Sequence, residues 1–277
     1  MPHHFSLIDV FASGPMSGNP LAVMDGAGLS DEEMMAACRW LNFSETTFLL
    51  PSSDPEADYR VRIFCPEREL PFAGHPTLGT CHAWLERGGQ PRGVEVVQEC
   101  GAGLVRIRRD ADRLAFAAPP LVRSGPVAEA DLEAALKVLR IAPEDVVEAC
   151  WADNGPGWLA VRLASAEAVL AVAPDASPEG RFDLGVVGPH APGGEVAWEV
   201  RAFFSDHNGT LREDPVTGSL NASLAQWLLG EGLATASYVA AQGAQLGRAG
   251  RIYITQDEAG QVWVGGRSRT VVEGMAL

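Results

Sequence analysis

Three ionisable residues lie beside loops that are rich in glycine, proline and hydroxyl-bearing residues. Glu45 begins an apolar segment, His75 stands between a glycine and a proline, and Asp214 also precedes a proline. A carboxyl group in an apolar cleft can have a raised pKa, and such a group can take a proton from carbon and return it. Glu45 is the best candidate for this role because aromatic and aliphatic residues surround it in the sequence.

Each of these residues also has a structural interpretation. A glutamate before a strand is commonly a solvated surface residue, and an aspartate such as Asp214 is a common helix N-cap. His75 is open to the same interpretation as a cap. Residue type alone leaves both interpretations open.

The loops that carry His75 and Asp214, residues 73–77 and 214–219, each lead into a predicted helix. Proline suits the first turn of a helix, and glycine has no Cβ to hinder a ligand. Unpaired N–H groups and the positive end of the helix dipole then form an anion site. We therefore expect two helix starts to grip a carboxylate in a cleft between two halves and to stabilise an enolate beside it.

An internal duplication in the sequence supports the division of the chain into two similar halves. Residues 61–64 (VRIF) reappear 139 positions later as 200–203 (VRAF), and residues 21–23 (LAV) reappear 138 positions later as 159–161. Each VR-x-F segment leads through a polar loop to a proline and then to a helix that contains Trp-Leu. The position 139 residues after Glu45 falls in an apolar run without an acid, so one half is expected to supply the main acid/base.

The predicted elements are mostly short strands. Ser30 and Glu33 form a capping box for a helix that runs to about residue 40, and further helices are expected at 128–139, 76–87 and 217–229. The last two are apolar on most faces and should be buried. We predict an α+β fold of two pseudo-symmetric halves, each a barrel-like antiparallel sheet around a central helix. The halves are residues 1–118, joined by a strand at 269–277, and residues 119–268.

Composition excludes several functional classes. The net charge of −15 opposes a nucleic-acid or anionic-membrane partner, because both need a basic surface. No apolar run of about 18 residues and no secretory signal are visible. The five cysteines are scattered and form no CxxC pair, which favours reduced thiols and a cytoplasmic protein.

Four motifs closely resemble the PhzF (phenazine biosynthesis-like) family. They are GNPLAV (18–23), NFSETTF (42–48), ELPFAGHPTLG (69–79) and EDPVTGS (213–219), in order along most of the chain. The resemblance implies the diaminopimelate-epimerase-like fold, a homodimer, and neither a metal nor an organic cofactor.

The resemblance also implies roles for individual residues. The family's acid/base glutamate falls on Glu45, its active-site histidine on His75 and its aspartate on Asp214. Its backbone contacts to substrate fall on Gly74, Gly218 and Ser219. The implied activity is isomerisation of a small cyclic amino or hydroxy carboxylate, as in the family's reaction on trans-2,3-dihydro-3-hydroxyanthranilic acid. Related epimerases use one cysteine at the start of each central helix, and this chain lacks that pair.

Three alternatives compete with an isomerase. A hydrolase or lyase would use Ser219 or Cys65 as nucleophile, but no G-x-S-x-G elbow is present. A metal enzyme would use His75 and His82, but no third-ligand motif accompanies them. A non-catalytic protein that binds small carboxylates would keep the same residues without turnover.

Overall fold

The computed structural model describes residues 2–206 and 208–276. Met1 and Leu277, the outer ends of the predicted halves, therefore lie outside the described residues. The chain divides into two compact units, Met1–Ala117 with Gly265–Leu277, and Ala118–Val264. Both units consist mainly of strands with a few helices, which confirms the α+β class.

Elements are numbered in chain order through the whole protein. The first unit begins with β1 (His3–Val10), β2 (Asn19–Asp25), α1 (Asp31–Leu41), β3 (Thr46–Leu50), β4 (Tyr59–Phe64), β5 (Glu69–Leu70), α2 (Gly74–Glu86), β6 (Val96–Cys100), β7 (Gly103–Asp110) and β8 (Arg113–Ala117). The chain continues with β9 (Arg123–Pro126), α3 (Glu129–Leu139), β10 (Val146–Asp153), β11 (Leu159–Leu163), α4 (Ala166–Ala171), β12 (Asp183–Pro189), β13 (Trp198–Ser205), β14 (Leu211–Asp214), α5 (Gly218–Gly230), β15 (Ser237–Gln242), β16 (Gly250–Gln256), β17 (Val262–Gly266) and β18 (Ser268–Ala276).

The two units repeat one order of strand pairing. In the first, β1 pairs antiparallel with β2, β2 parallel with β3, β3 antiparallel with β4, and β4 parallel with β6. In the second, β10, β11, β12, β13 and β15 pair in the same sequence and with the same directions. The repeated VR-x-F segments lie in β4 and β13.

The parallel pairs are a feature that the sequence did not predict. Parallel neighbours need a crossover connection, and a helix usually supplies it. Here α1 connects β2 to β3 and α2 lies between β4 and β6, while α4 and α5 take the same places in the second unit. The short helix α4 was not predicted either, although Ser165 caps it by accepting from the N–H of Ala168 at 3.3 Å.

The strand after each repeat pairs with the first strand of the other repeat. β9 follows β8 in the chain and pairs antiparallel with β10, and β18 follows β17 and pairs antiparallel with β1. The C-terminal segment therefore belongs to the first unit, as part of the ladder β18–β1–β2.

Helices α2 and α5 are each 13 residues long, and most of their residues are buried. Their apolar character on several faces explains this, because a helix without a polar face has no side to present to water. Helix α1 has the predicted capping box, with Ser30 accepting from the N–H of Glu33 and Glu33 from that of Ser30. Its apolar side packs Met34 and Cys38 over Phe48 and Phe64.

In the part of the chain that the structure describes, none of the helices combines the length and the apolar character that a membrane span requires.

Candidate active site

Glu45 is positioned by the end of helix α1. Asn42 caps that helix in the left-handed conformation, with φ of 55°, and its N–H donates to the carbonyl of Cys38 at 3.0 Å. The chain then turns into β3 at Thr46, which is completely buried. The side chain of Glu45 is only 18% exposed. Glu45 is therefore a largely enclosed carboxyl group and not a solvated surface residue.

His75 is the second residue of helix α2 and is 4% exposed. The N-cap of this helix is Ala73, so His75 does not act as a cap. The amide Nδ2 of Asn19 lies 3.5 Å from His75 Nδ1. Burial lowers the pKa of His75 to about 3, and a hydrogen bond to the backbone of Pro20 opposes this shift. The imidazole is therefore neutral at physiological pH.

The structure brings Glu45 and His75 together. Oε2 of Glu45 lies 3.6 Å from Nε2 of His75. Because burial keeps the imidazole neutral, this contact is not an ion pair at neutral pH. A carboxyl group that faces a neutral imidazole can gain or lose a proton without breaking a salt bridge, which suits a group that must carry a proton in both directions.

The buried imidazole predicts a specific acid sensitivity. Between pH 6.5 and about 3 the unfolded state binds a proton at His75 while the folded state does not, so stability must fall as the pH falls through this range. One such group contributes up to about 1.4 kcal/mol per pH unit. In His75→Asn, the loss of stability between pH 6.5 and 4 should be shallower than in the wild type, as measured by urea unfolding.

The control is the same comparison between pH 8 and 9, where His75 is neutral in both states and the two pH slopes should agree. Equal slopes between pH 6.5 and 4 would show that His75 is not buried as a neutral group.

Asp214 is the last residue of β14 in the second unit and is half-buried. The N-cap of helix α5 is Thr217, so Asp214 is not the cap that its residue type suggested. Instead, the hydroxyl of Thr217 donates to Asp214 Oδ2 at 2.6 Å. The aspartate is therefore held by the loop that follows it.

Gly74, Gly218 and Ser219 lie in the first turns of α2 and α5. Neither N-cap residue makes a side-chain hydrogen bond to its helix, and N–H groups of a first turn have no partner within the helix. Such groups can bind an anion. The hydroxyl of Ser219 also accepts from the indole N–H of Trp158 at 3.1 Å. This bond orients the hydroxyl at the start of α5.

Several residues at these positions were missed by sequence reasoning. Trp158 and Asn154 lie between β10 and β11, and Asn154 Nδ2 donates to the carbonyl of Ser219 at 2.9 Å. Gln98 and Gln242 reach the threonines of the two helix starts from β6 and β15. The available signal was a glutamine that follows a run of apolar residues in each strand, although Glu99 follows Gln98 in β6.

The strand pairing revises the duplicated position of Glu45. Thr46 lies opposite the phenylalanine of VR-x-F in β4, and Leu184 lies opposite the corresponding phenylalanine in β13. By this register the residue that matches Glu45 is Asp183, whereas the ladder to β11 keeps Leu184. The expectation that no acidic residue occupies the position matching Glu45 is therefore met by the pairing with β11. It is not met by the pairing with β13, which places Asp183 there. The carboxylate of Asp183 lies 3.5 Å from Nε of Arg181.

The competing nucleophiles and ligands have other environments. Cys81, which was not among the proposed nucleophiles, is a buried free thiol in α2, and burial raises its pKa to about 12, so the thiol is protonated at neutral pH. Burial also raises the pKa of Cys65. Nε2 of His82 lies 3.4 Å from Glu86 and 3.2 Å from Thr270 Oγ1. Across residues 2–206 and 208–276, no cluster of three metal-binding side chains occurs.

Comparison with known proteins identifies the family to which the chain is similar. A family profile described as "Phenazine biosynthesis-like protein" matches residues 8–274. The trans-2,3-dihydro-3-hydroxyanthranilate isomerase of Pseudomonas aeruginosa is 34% identical over 293 residues, which covers 99% of each chain. The protein "Antisense-enhancing sequence 1" of Schizosaccharomyces pombe is 33% identical over 295 residues, with the same coverage. A PhzF-family phenazine biosynthesis protein of Bacillus anthracis has a TM-score of 0.83 at 23% identity, over 100% of this chain and 99% of that one.

Proposed function

Because the chain belongs to the phenazine biosynthesis-like (PhzF) family of isomerases, we propose that it moves a proton between two carbons of a small cyclic amino or hydroxy carboxylate. Glu45 carries the proton, and His75 and Asp214 are the other catalytic residues. Gly74, Gly218 and Ser219 bind the substrate, and the reaction needs no cofactor or metal.

The proposed reaction has two proton transfers. The carboxylate of Glu45 takes a proton from a C–H group next to an unsaturated system, and the electron pair of that bond moves into the conjugated system. The resulting carboxylic acid returns the proton to a different carbon, so atoms and charge balance over the cycle. The N–H groups of the helix starts stabilise the negative charge that develops between the two steps.

One observation carries this proposal, namely the 3.6 Å approach of the enclosed Glu45 carboxyl to a buried His75 that remains neutral. A charged imidazole would hold the glutamate as a permanent carboxylate, since an opposite charge favours the ionised form. A neutral imidazole removes that restraint.

The relative in Pseudomonas aeruginosa suggests the first substrate to test. Its printed activity is on trans-2,3-dihydro-3-hydroxyanthranilate, and it is 34% identical to this chain. Incubation of the wild-type protein with this compound in D2O should give an isomerised product. Deuterium should appear at the new C–H position in those turnovers in which the Glu45 carboxylic acid exchanges its proton with solvent before it returns it, and NMR and mass spectrometry detect both results.

A panel of related cyclic amino and hydroxy carboxylates would extend the same measurement. A protein that is stabilised by these compounds in a thermal-shift assay, yet neither isomerises any of them nor exchanges deuterium with them, would be a binder and not an isomerase.

A homodimer and a cytoplasmic location are also proposed. The exposed apolar side chains Val271, Val272 and Met275 of β18 support a protein contact, because burial of apolar surface drives association. Sedimentation velocity would show a particle of twice the 29.4 kDa chain mass.

All five cysteines are free, as expected in a reducing compartment, and cell fractionation would test the location.

A further inference from the structure

Gln242 is a buried amide whose hydrogen-bonding groups are all used on the loop that carries Asp214 and on the helix that follows it. It ends strand β15 and is 1% exposed. Its Oε1 accepts from the backbone N–H of Thr217 at 3.0 Å and from Asn221 Nδ2 at 2.8 Å. Its Nε2 donates to the carbonyl of Asp214 and to Thr217 Oγ1, both at 3.0 Å. Two donated and two accepted bonds are the full capacity of a glutamine side chain.

The identity of these partners fixes the direction of each bond. A backbone N–H can only donate, so the Gln242 atom that faces Thr217 N must be the carbonyl oxygen. The amide NH2 group therefore faces the Thr217 hydroxyl, which accepts from it. That hydroxyl has a single hydrogen, and Asp214 Oδ2 lies 2.6 Å away. The hydrogen therefore points to Oδ2, which accepts it and carries no proton of its own, and a donor aimed at a carboxyl oxygen favours the ionised form of the group.

We propose that Gln242 is a positioning residue that acts through Thr217 to present Asp214 to the substrate as an ionised carboxylate. This inference rests on the proposed function, in which Asp214 is catalytic. Under this inference the Asp214 carboxyl group is ionised when the reaction begins. The proton that moves between carbons is then carried by Glu45 and not delivered by Asp214.

The first unit contains a similar glutamine–threonine pair, but its glutamine has different hydrogen-bond partners. Gln98 Nε2 donates to Thr77 Oγ1 at 3.1 Å, but Gln98 Oε1 accepts from the hydroxyl of Tyr59 at 2.9 Å. Gln98 thus joins the helix start to a neighbouring strand. Gln242 instead makes two bonds to Thr217 and one to the carbonyl of Asp214. The second unit therefore differs from the first in that its glutamine is connected, through the threonine, to an acidic side chain.

The test is a titration of the Asp214 side-chain carboxyl by 13C NMR, in protein labelled at aspartate and with the resonance assigned by its absence in Asp214→Asn. Removing a hydrogen-bond donor from a carboxylate disfavours its ionised form. The titration midpoint should therefore move to higher pH in Thr217→Val and in Gln242→Met. It should stay near the wild-type value in Thr217→Ser, which keeps the hydroxyl.

Thr80→Val is the matched control. It removes another buried hydroxyl, which donates to Thr47 Oγ1 at 2.8 Å in the first unit. A similar loss of thermal stability without a change in the Asp214 midpoint is expected. In the isomerase assay, Gln242→Met should lower kcat by up to about 100-fold, the scale of a misplaced catalytic group, with a smaller change in KM.

The outcomes separate this inference from the proposed function. Unchanged midpoints in both Thr217→Val and Gln242→Met would overturn the positioning role, even if the protein proves to be an isomerase. Full deuterium exchange by Asp214→Asn would overturn the catalytic role of Asp214, and with it the purpose assigned to Gln242. Shifted midpoints together with an inactive Asp214→Asn variant would support both.

Discussion

Replacing Glu45 with glutamine should reduce deuterium exchange and isomerisation by about 10²- to 10⁴-fold, the usual contribution of a general acid/base. The amide keeps the shape of the side chain but cannot accept a proton. Stability should change little, because the Glu45 side chain lies in a connecting loop and retains some exposure. The variant should still be stabilised by carboxylate ligands, since the first turns of α2 and α5 are unchanged.

Glu56→Gln is the matched control for this substitution. Glu56 is an exposed glutamate of the same unit, and its side chain has no part in the proposed site. This variant should keep wild-type activity and the wild-type melting temperature. Wild-type exchange by the Glu45→Gln protein would remove Glu45 from the mechanism and leave the proton carrier to another residue.

Replacing Gly18 with alanine should cause a large loss of stability. A Cβ atom at this position would lie 1.9 Å from the backbone carbonyl oxygen of Val10 and 2.9 Å from Asp9 Oδ1. Backbone atoms of a paired strand cannot move aside as a flexible side chain can, so the ladder between β1 and β2 must shift. Overpacking commonly costs about 1–3 kcal/mol, and a backbone clash of this size should lie at or above the upper end.

The effect of Gly18→Ala should reach the proposed site as well. The next residues, Asn19 and Pro20, contact the buried imidazole of His75. A displaced β2 should therefore lower activity together with the melting temperature, which falls by about 2–4 °C for each kcal/mol in a protein of comparable size. Calorimetry and the isomerase assay would measure the two effects.

Gly14→Ala is the matched control for Gly18→Ala. It is a nearby glycine in the connection between β1 and β2, and a Cβ there would meet no atom within 4 Å. This variant should be neutral or slightly stabilised, because alanine reduces the freedom of the unfolded chain. Equal melting temperatures for the two variants would contradict the close approach at Gly18.

The duplicated fold carries an asymmetric set of side chains. Both central helices follow a short strand and begin with small residues and a buried threonine that a glutamine contacts. In the first unit, the added groups are Glu45 and a neutral His75. In the second, they are Asp214 and its tether to Thr217. The two units thus contain similar helix starts with different ionisable side chains beside them.

The sequence by itself determined the elements that depend on local pattern. Helices α2 and α5 begin within two residues of the predicted starts, and α1 has the predicted capping box. Caps and apolar spacing involve residues three or four positions apart, so the order of residues contains this information directly. The repeated VR-x-F segments likewise lie in corresponding strands, β4 and β13, because similar sequences fold into similar local structures.

Only the tertiary structure decided which side chains meet. Glu45 and His75 are 30 positions apart, and Gln242 reaches back 28 positions to Asp214. Whether such residues touch depends on strand register and helix packing, and a register shift of one residue turns every side chain to the other face. The neutral state of the His75 side chain has the same origin, because it follows from burial among neighbours that are distant in the sequence.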